Sequence, residues 1–181
     1  MLIDSSRSAL LVIDVQQKLL PAVYQSESVE RAVCDLVEVA KELKIATLYS
    51  EQYPQGLGPS TQSVLKALPD SAIRLEKLSF SCAAEPDCTE QLEALAPQVI
   101  ICGMETHVCV LQTAIEMKLS GKAVFVVADA VSSRTAENKQ LGLERMRQLG
   151  IEIVSTEMVI FEWLRRAGTD AFRSISKAYL R

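Results

Sequence analysis

The sequence predicts an α/β fold of three layers, α/β/α, with helices on both faces of a mainly parallel six-stranded sheet. Three observations carry that expectation. Short apolar runs rich in β-branched residues recur at positions 9–13, 45–49, 72–75, 99–102, 123–127 and 151–154, the pattern of strands buried on both faces. Helical stripes fill the intervals at 28–43, 85–95, 106–119 and 136–149. Helix-ending residues follow three of these stripes, Gly121 and Gly150 as left-handed caps and Pro97 as a stop. Alternation of this kind demands right-handed crossovers and a parallel sheet covered on both sides.

Taken in order, the first run ends at Asp14, held between Ile13 and Val15. The helix over 28–43 places Val29, Ala32, Val33, Leu36, Val37, Ala40 and Leu43 on one stripe. Tyr53-Pro54, Gly56 and Gly58-Pro59 then mark 50–60 as a long surface loop. A second loop is expected over 79–86, after the third strand. The fourth strand runs through Gly103 into the helix over 106–119. In the tail over 169–181, Ala171, Phe172, Ile175 and Ala178 share a face, so a terminal docking helix is expected there, one that also suits a subunit interface. No repeat, low-complexity tract or shift in composition divides the chain, and it reads as one domain over residues 1–181.

Composition narrows the functional classes. The 181 residues carry 19 Lys+Arg against 23 Asp+Glu, a net charge of −4 without a basic stripe, so nucleic acid is not an expected partner. No apolar stretch approaches the roughly 20 residues of a membrane span, and Asp4 interrupts any signal-peptide pattern; a cytoplasmic protein without a membrane partner is expected. Five cysteines, Cys34, Cys82, Cys88, Cys102 and Cys109, are odd in number and lack C-x-x-C spacing, which argues against a disulfide framework or zinc knuckle. The single His107 leaves little room for histidine-based hydrolysis or His-rich metal sites. Gly56-Leu57-Gly58 is followed by Pro59 and lacks a third glycine, and no phosphate-binding G-x-x-x-x-G-K-[ST] loop occurs, so no cofactor is expected.

In open parallel sheets ligands bind beyond the carboxyl ends of the strands, and three residues stand there. Asp14 closes the first strand where partial desolvation would raise its proton affinity toward that of a general base, although a turn cap is the simpler reading. Lys77 follows the third strand, where a lysine is ordinarily a surface charge. Cys109 lies in the first turns of the helix after the fourth strand, where the dipole and a nearby ammonium would favour thiolate; a buried structural cysteine is the alternative, and it is the reading for Cys34 and Cys102. Cys82 and Cys88 are expected to be solvent-facing thiols, with a redox pair as the other option. His107 suits a capping role or one supporting the site from behind. Gln52 and Tyr53, after the second strand, and Phe80, after Lys77, are placed to line a substrate pocket.

With these residues in view, the chain resembles the isochorismatase-like hydrolase family, the cysteine hydrolase superfamily, over nearly its whole length. The likeness rests on Leu-Leu-Val-Ile-Asp14-Val-Gln-Gln, Glu-Lys77-Leu-Ser-Phe-Ser, Ile-Cys-Gly103-Met-Glu-Thr-His-Val-Cys109-Val and Asp129-Ala-Val-Ser-Ser-Arg134. It implies a catalytic triad of Asp14, Lys77 and Cys109, in which the aspartate takes the thiol proton, the lysine holds both partners and the thiolate attacks a carbonyl. It also implies a cis peptide at Met104–Glu105 and an oxyanion hole from the backbone N–H groups of Glu105 and Cys109. The resemblance implies a homo-oligomer acting on a small-molecule substrate. Nicotinamidases of this family carry an Asp-x-His pair and a further His for a metal ion; here the loop reads Ser50-Glu51-Gln52-Tyr53-Pro54 and the chain holds one His, so no metal is expected. The metal-free isochorismatase-domain subgroup is the better match, and the expected activity is cleavage of a small amide or related C–N bond. The alternative is a non-catalytic member that binds a ligand or protein partner in the same pocket.

Overall fold

The computed structural model describes residues 1–179. Six strands, β1 (Ser8–Ile13), β2 (Ala46–Gln52), β3 (Ile73–Lys77), β4 (Gln98–Met104), β5 (Ala123–Ser132) and β6 (Glu152–Val154), form one sheet in the order β3-β2-β1-β4-β5-β6. Every neighbouring pair is parallel. All six expected strands are present, and the three-layer α/β/α expectation is borne out.

The central strands explain the continuous apolar runs. All six residues of β1 and all seven of β4 are buried, and alternate side chains feed two separate cores. Leu10, Val12, Ile100, Cys102, Phe125 and Val127 face one way, toward α1 (Ser26–Glu42), α7 (Thr156–Leu164) and α8 (Asp170–Tyr179). Ala9, Leu11, Ile13, Val99, Ile101, Val124 and Val126 face the other, toward α4 (Pro86–Glu93), α5 (Leu111–Leu119) and α6 (Ala136–Gln148). Gly121 and Gly150 adopt the expected left-handed conformation (φ 91° and 73°).

The region over 50–60 differs from the expected loop. β2 continues through Gln52, a short helix α2 (Pro54–Leu57) follows, and Ser50, Glu51 and Ser60 are buried. Polarity misleads here because the buried carboxylate and the Ser50 hydroxyl have partners: Glu51 accepts from the Ser60 N–H at 2.7 Å and pairs with Arg74 at 2.7 Å, and Ser50 donates to Asp14. Two further helices, α3 (Gln62–Ala67) and α7, have no counterpart among the expected elements. The expected tail helix exists and docks on the fold through part of its stripe. Ile175 is fully buried in the core beneath α1, and Tyr179 donates to Glu38 at 2.8 Å. Positions 180 and 181 of the expected tail lie outside the described residues.

Sequential strands move outward from β1 to β3, after which the chain returns to place β4 on the other side of β1. The switch point, where a cleft opens in doubly wound sheets, therefore lies between the carboxyl ends of β1 and β4. Asp14 follows one of those strands, and Cys109 lies in the turn that leaves the other.

Candidate active site

Ile13 is in register with Ser50 of β2 on one side and Gly103 of β4 on the other. The next residue, Asp14, is fully buried and turns the chain out of the sheet with a left-handed backbone (φ 52°). Its N–H donates to the Ser50 carbonyl at 3.1 Å. Its two carboxylate oxygens have different partners: the Ser50 hydroxyl donates to Oδ1 at 2.6 Å, and Lys77 Nζ donates to Oδ2 at 2.8 Å.

Lys77 ends β3, two strands from β1, and only a side chain of its length reaches across the end of β2. It is 1% exposed. The ammonium also meets Gln52 Oε1 at 2.7 Å and the carbonyls of Phe80 and Ser79 at 3.0 and 3.4 Å. Three N–H donors are thus shared among four acceptors, so the charge is fully solvated by protein. Burial works against the charged form, but the facing Asp14 carboxylate outweighs it, with help from Cys82 and Cys109, and holds the Lys77 pKa above its ordinary value.

β4 leads through Gly103 to a cis peptide at Met104–Glu105, the bond the resemblance implied. A π-helical turn, Thr106–Val110, follows and runs directly into α5. The Glu105 carbonyl accepts from the N–H groups of Val108 and Val110 at 3.1 and 3.2 Å, the residues on either side of Cys109. Cys109 itself is 6% exposed. Burial pushes its thiol pKa far up, and the charge of Asp14 and a hydrogen bond with that carboxylate push it further, with the Lys77 ammonium opposing. The sequence argued for thiolate at a helix N-terminus beside an ammonium; in the structure the ammonium is committed to Asp14, and desolvation decides the outcome.

Asp14 and Cys109 open onto a cleft of about 280 Å³ whose apolar walls are Leu19, Leu57, Phe80 and Val108, with Gln52, Glu105 and Arg134 at its polar positions. Glu105 is buried, and its carboxylate takes the backbone N–H of Arg134 at 2.9 Å and the guanidinium at 3.1 Å. A larger hollow of about 330 Å³ between α1 and α7 contains neither cysteine nor histidine.

Of the residues singled out from sequence, Asp14, Lys77, Cys109, Glu105, Gln52 and Phe80 come together. Tyr53 does not line the cleft. It is 52% exposed, and its ring covers Gly56, where an added Cβ would lie 2.4 Å from it. His107 points to Ser133, its Nδ1 2.9 Å from the hydroxyl. Cys82 and Cys88 are buried, not solvent-facing: the loop before α4 folds inward, and Cys82 joins the apolar core with Ser50 and Thr113 as hydrogen-bonding neighbours. All five cysteines are free. Cys102 is fully buried as expected, whereas Cys34 on α1 is only partly covered.

Sequence reasoning missed Ser50, Arg134, Leu19, Leu57 and Val108. Ser50 was open to discovery, since it directly follows the second apolar run and a parallel neighbour of the first strand must end beside Asp14. Among the described residues no group of three or more His, Cys, Asp or Glu side chains is arranged to hold a metal ion.

A doubly wound parallel sheet with a buried acid, lysine and thiol at its switch point is an α/β protein with a candidate site where such sheets bind their ligands. The isochorismatase domain family matches residues 8–158, and the chain belongs to that family, part of a hydrolase superfamily. Among similar proteins, the secreted isochorismatase effector Isc1 of Phytophthora sojae is 38% identical over 175 residues, covering 94% of this chain and 83% of the relative. Isochorismatase domain-containing protein 2 of Bos taurus is 34% identical over 173 residues, covering 94% of this chain and 81% of the relative. The solved structure of MAR1 ribonuclease from Caenorhabditis elegans superposes with a TM-score of 0.94 at 30% identity, covering all of this chain and 93% of that one.

Proposed function

We propose that the protein is a metal-independent cysteine hydrolase that cleaves a small amide or related C–N bond through an acyl-enzyme on Cys109. One observation carries the reading: a buried thiol and a buried carboxylate, the latter held by Ser50 and Lys77, line the same cleft. A thiol kept protonated at rest has its proton acceptor in the same cleft, so deprotonation and attack are coupled. Asp14 takes the thiol proton as sulfur bonds to the substrate carbonyl carbon, and the N–H groups of Glu105 and Cys109 receive the developing oxyanion. The C–N bond then breaks as Asp14 returns the proton to the leaving nitrogen. Water, deprotonated by Asp14, attacks the thioester; the acid product leaves and the proton returns to sulfur. Lys77 holds the Asp14 carboxylate in place between these proton transfers. Gln52 and Phe80 shape the pocket beside it.

Intact-mass spectrometry after treatment with an activated ester tests the reading. One acyl adduct at Cys109 is expected, depressed in a folded Lys77→Ala variant; equal labelling of all five thiols would sink it. A binding-only member predicts no adduct and unchanged ligand capture by Cys109→Ala. The worm protein's name raises RNA as a substrate, but a chain of net charge −4 with an apolar-walled cleft suits a small molecule better, and an RNA-cleavage assay serves as the control.

The same reading takes residues 1–181 as one catalytic domain of a cytoplasmic homo-oligomer. Among the described residues no helix is long and apolar enough to cross a membrane. Met158 and Phe161 of α7 are each nearly half exposed, apolar side chains available to self-association. Sedimentation of the purified protein as a monomer would remove that part.

A further inference from the structure

We infer that the cleft takes an uncharged amide of a short apolar acid and discriminates against amides that bear a carboxylate. The inference deepens the cysteine-hydrolase reading and rests on the cleft being the substrate site. Its ground is that the polar side chains facing the cleft are engaged by protein groups, Arg134 through the inner edge of its guanidinium, while the rest of the lining is apolar. Gln52 spends its oxygen on Lys77 Nζ and its amide nitrogen on the Leu78 carbonyl, at 2.7 and 2.8 Å. Lys77 is surrounded by Asp14, Gln52 and two carbonyls.

Arg134 is the other cation at the cleft, and the carboxylate of Glu105 holds its backbone N–H, Nε and Nη2 at 2.9–3.3 Å. A carboxylate seated on the inner edge of the guanidinium would have to displace Glu105, whose side chain is only 6% exposed and would lose its cation; the outer edge faces water, where its attraction is weak. Nor does the wall attract an anion. Asp14, Glu105 and Lys77 are buried and sum to one negative charge, whereas the side chain of Arg134 is 68% exposed and screened by solvent.

What the cleft leaves free for contact is apolar: Leu19, Leu57, Phe80 and Val108. Its volume of about 280 Å³ falls at the lower limit of small-molecule pockets, roughly 300–1,000 Å³. A branched or straight acyl chain of a few carbons fits those walls, with its carbonyl directed at Cys109.

Binding to the Cys109→Ala protein, followed by NMR titration, tests the inference without requiring turnover. Butyramide is expected to bind at least about tenfold more tightly than succinamate, in which a carboxylate replaces the terminal methyl. Glu105→Gln frees the Arg134 guanidinium and should move that ratio toward succinamate by roughly tenfold. Arg134→Gln, in case the first variant fails to fold, should keep the preference for the neutral amide. Equal or tighter succinamate binding overturns the inference, as does loss of succinamate binding on Arg134→Gln, because the guanidinium would then be the carboxylate's seat. A preference for the neutral amide without acylation of Cys109 in the wild-type protein defeats the hydrolase reading and leaves this one standing; acylation with a preference for the anion does the reverse.

Discussion

Asp14 has two oxygens and three claimants, the Ser50 hydroxyl, the Lys77 ammonium and the Cys109 thiol. The orientation of the carboxylate is set by how the first two hold it. Removing the Ser50 hydroxyl takes away one hydrogen bond to a charged group, a loss of about 1.5–3 kcal/mol or roughly 10–100-fold in rate if it is felt mainly in the transition state. Ser50→Ala should therefore lower kcat by that factor with KM little changed, as measured on any amide the enzyme turns over; a rise in KM alone would assign Ser50 to substrate binding. The buried pair itself makes a sharper test. Lys77→Met leaves a buried carboxylate without its cation and should cost about 3–5 kcal/mol in urea unfolding, whereas Lys77→Met with Asp14→Asn should recover most of that stability and no activity. Failure of the double variant to recover stability would mean that Lys77 supports the fold through the Phe80 and Ser79 carbonyls. Asp14, Lys77 and Cys109 were legible because each stands beside a recognisable strand end in an ordered motif. Ser50 has no motif, and only strand register reveals it.

The same contrast holds for whole elements. Strand runs with uniform apolar character were visible to within a few residues because burial on both faces leaves no alternative pattern. The amphipathic stripe of α1 was equally plain: Val29, Val33, Leu36, Val37 and Ala40 are all buried. α7 went unseen because its sequence is apolar nearly all round, with Met158 and Phe161 outward and Val159, Ile160 and Trp163 inward, so no stripe stands out. Where the site is built, geometry overrides pattern. Gly103 has a positive φ of 111°, and a Cβ there would lie 2.0 Å from the Ile13 carbonyl oxygen, at the place where β4 closes on β1 and its pairing with β5 shifts register. Backbone conformation and overpacking together predict that Gly103→Ala loses about 2–6 kcal/mol in equilibrium unfolding. A loss under about 1 kcal/mol would show that the β1–β4 junction yields easily.

At the scale of the molecule, all five cysteines titrate later in the folded chain than thiols ordinarily do. Burial is the first cause in every case; it lifts Cys34, Cys82 and Cys88 to about 11, and Cys102 and Cys109 higher still. Lys77 is raised as well, because burial, its largest single influence, is offset by Asp14 together with Cys82 and Cys109. In each case the folded protein holds its proton more tightly than the unfolded chain does. The stabilising contribution is therefore complete below the unfolded thiol value, near 8.5, and is lost as pH rises toward the folded values. The melting temperature should stay level from about pH 6.5 to 8 and fall progressively between about 8.5 and 11, with Lys77 adding to the loss at the upper end. Replacing the fully buried Cys102 with Ala removes one of the contributing thiols, so that variant, although less stable throughout, should show a shallower alkaline decline. Differential scanning calorimetry of both proteins across that range decides the matter: parallel declines would mean that groups other than the thiols govern alkaline unfolding, and a flat profile for the wild type would mean that its thiols titrate near their ordinary values in the folded state.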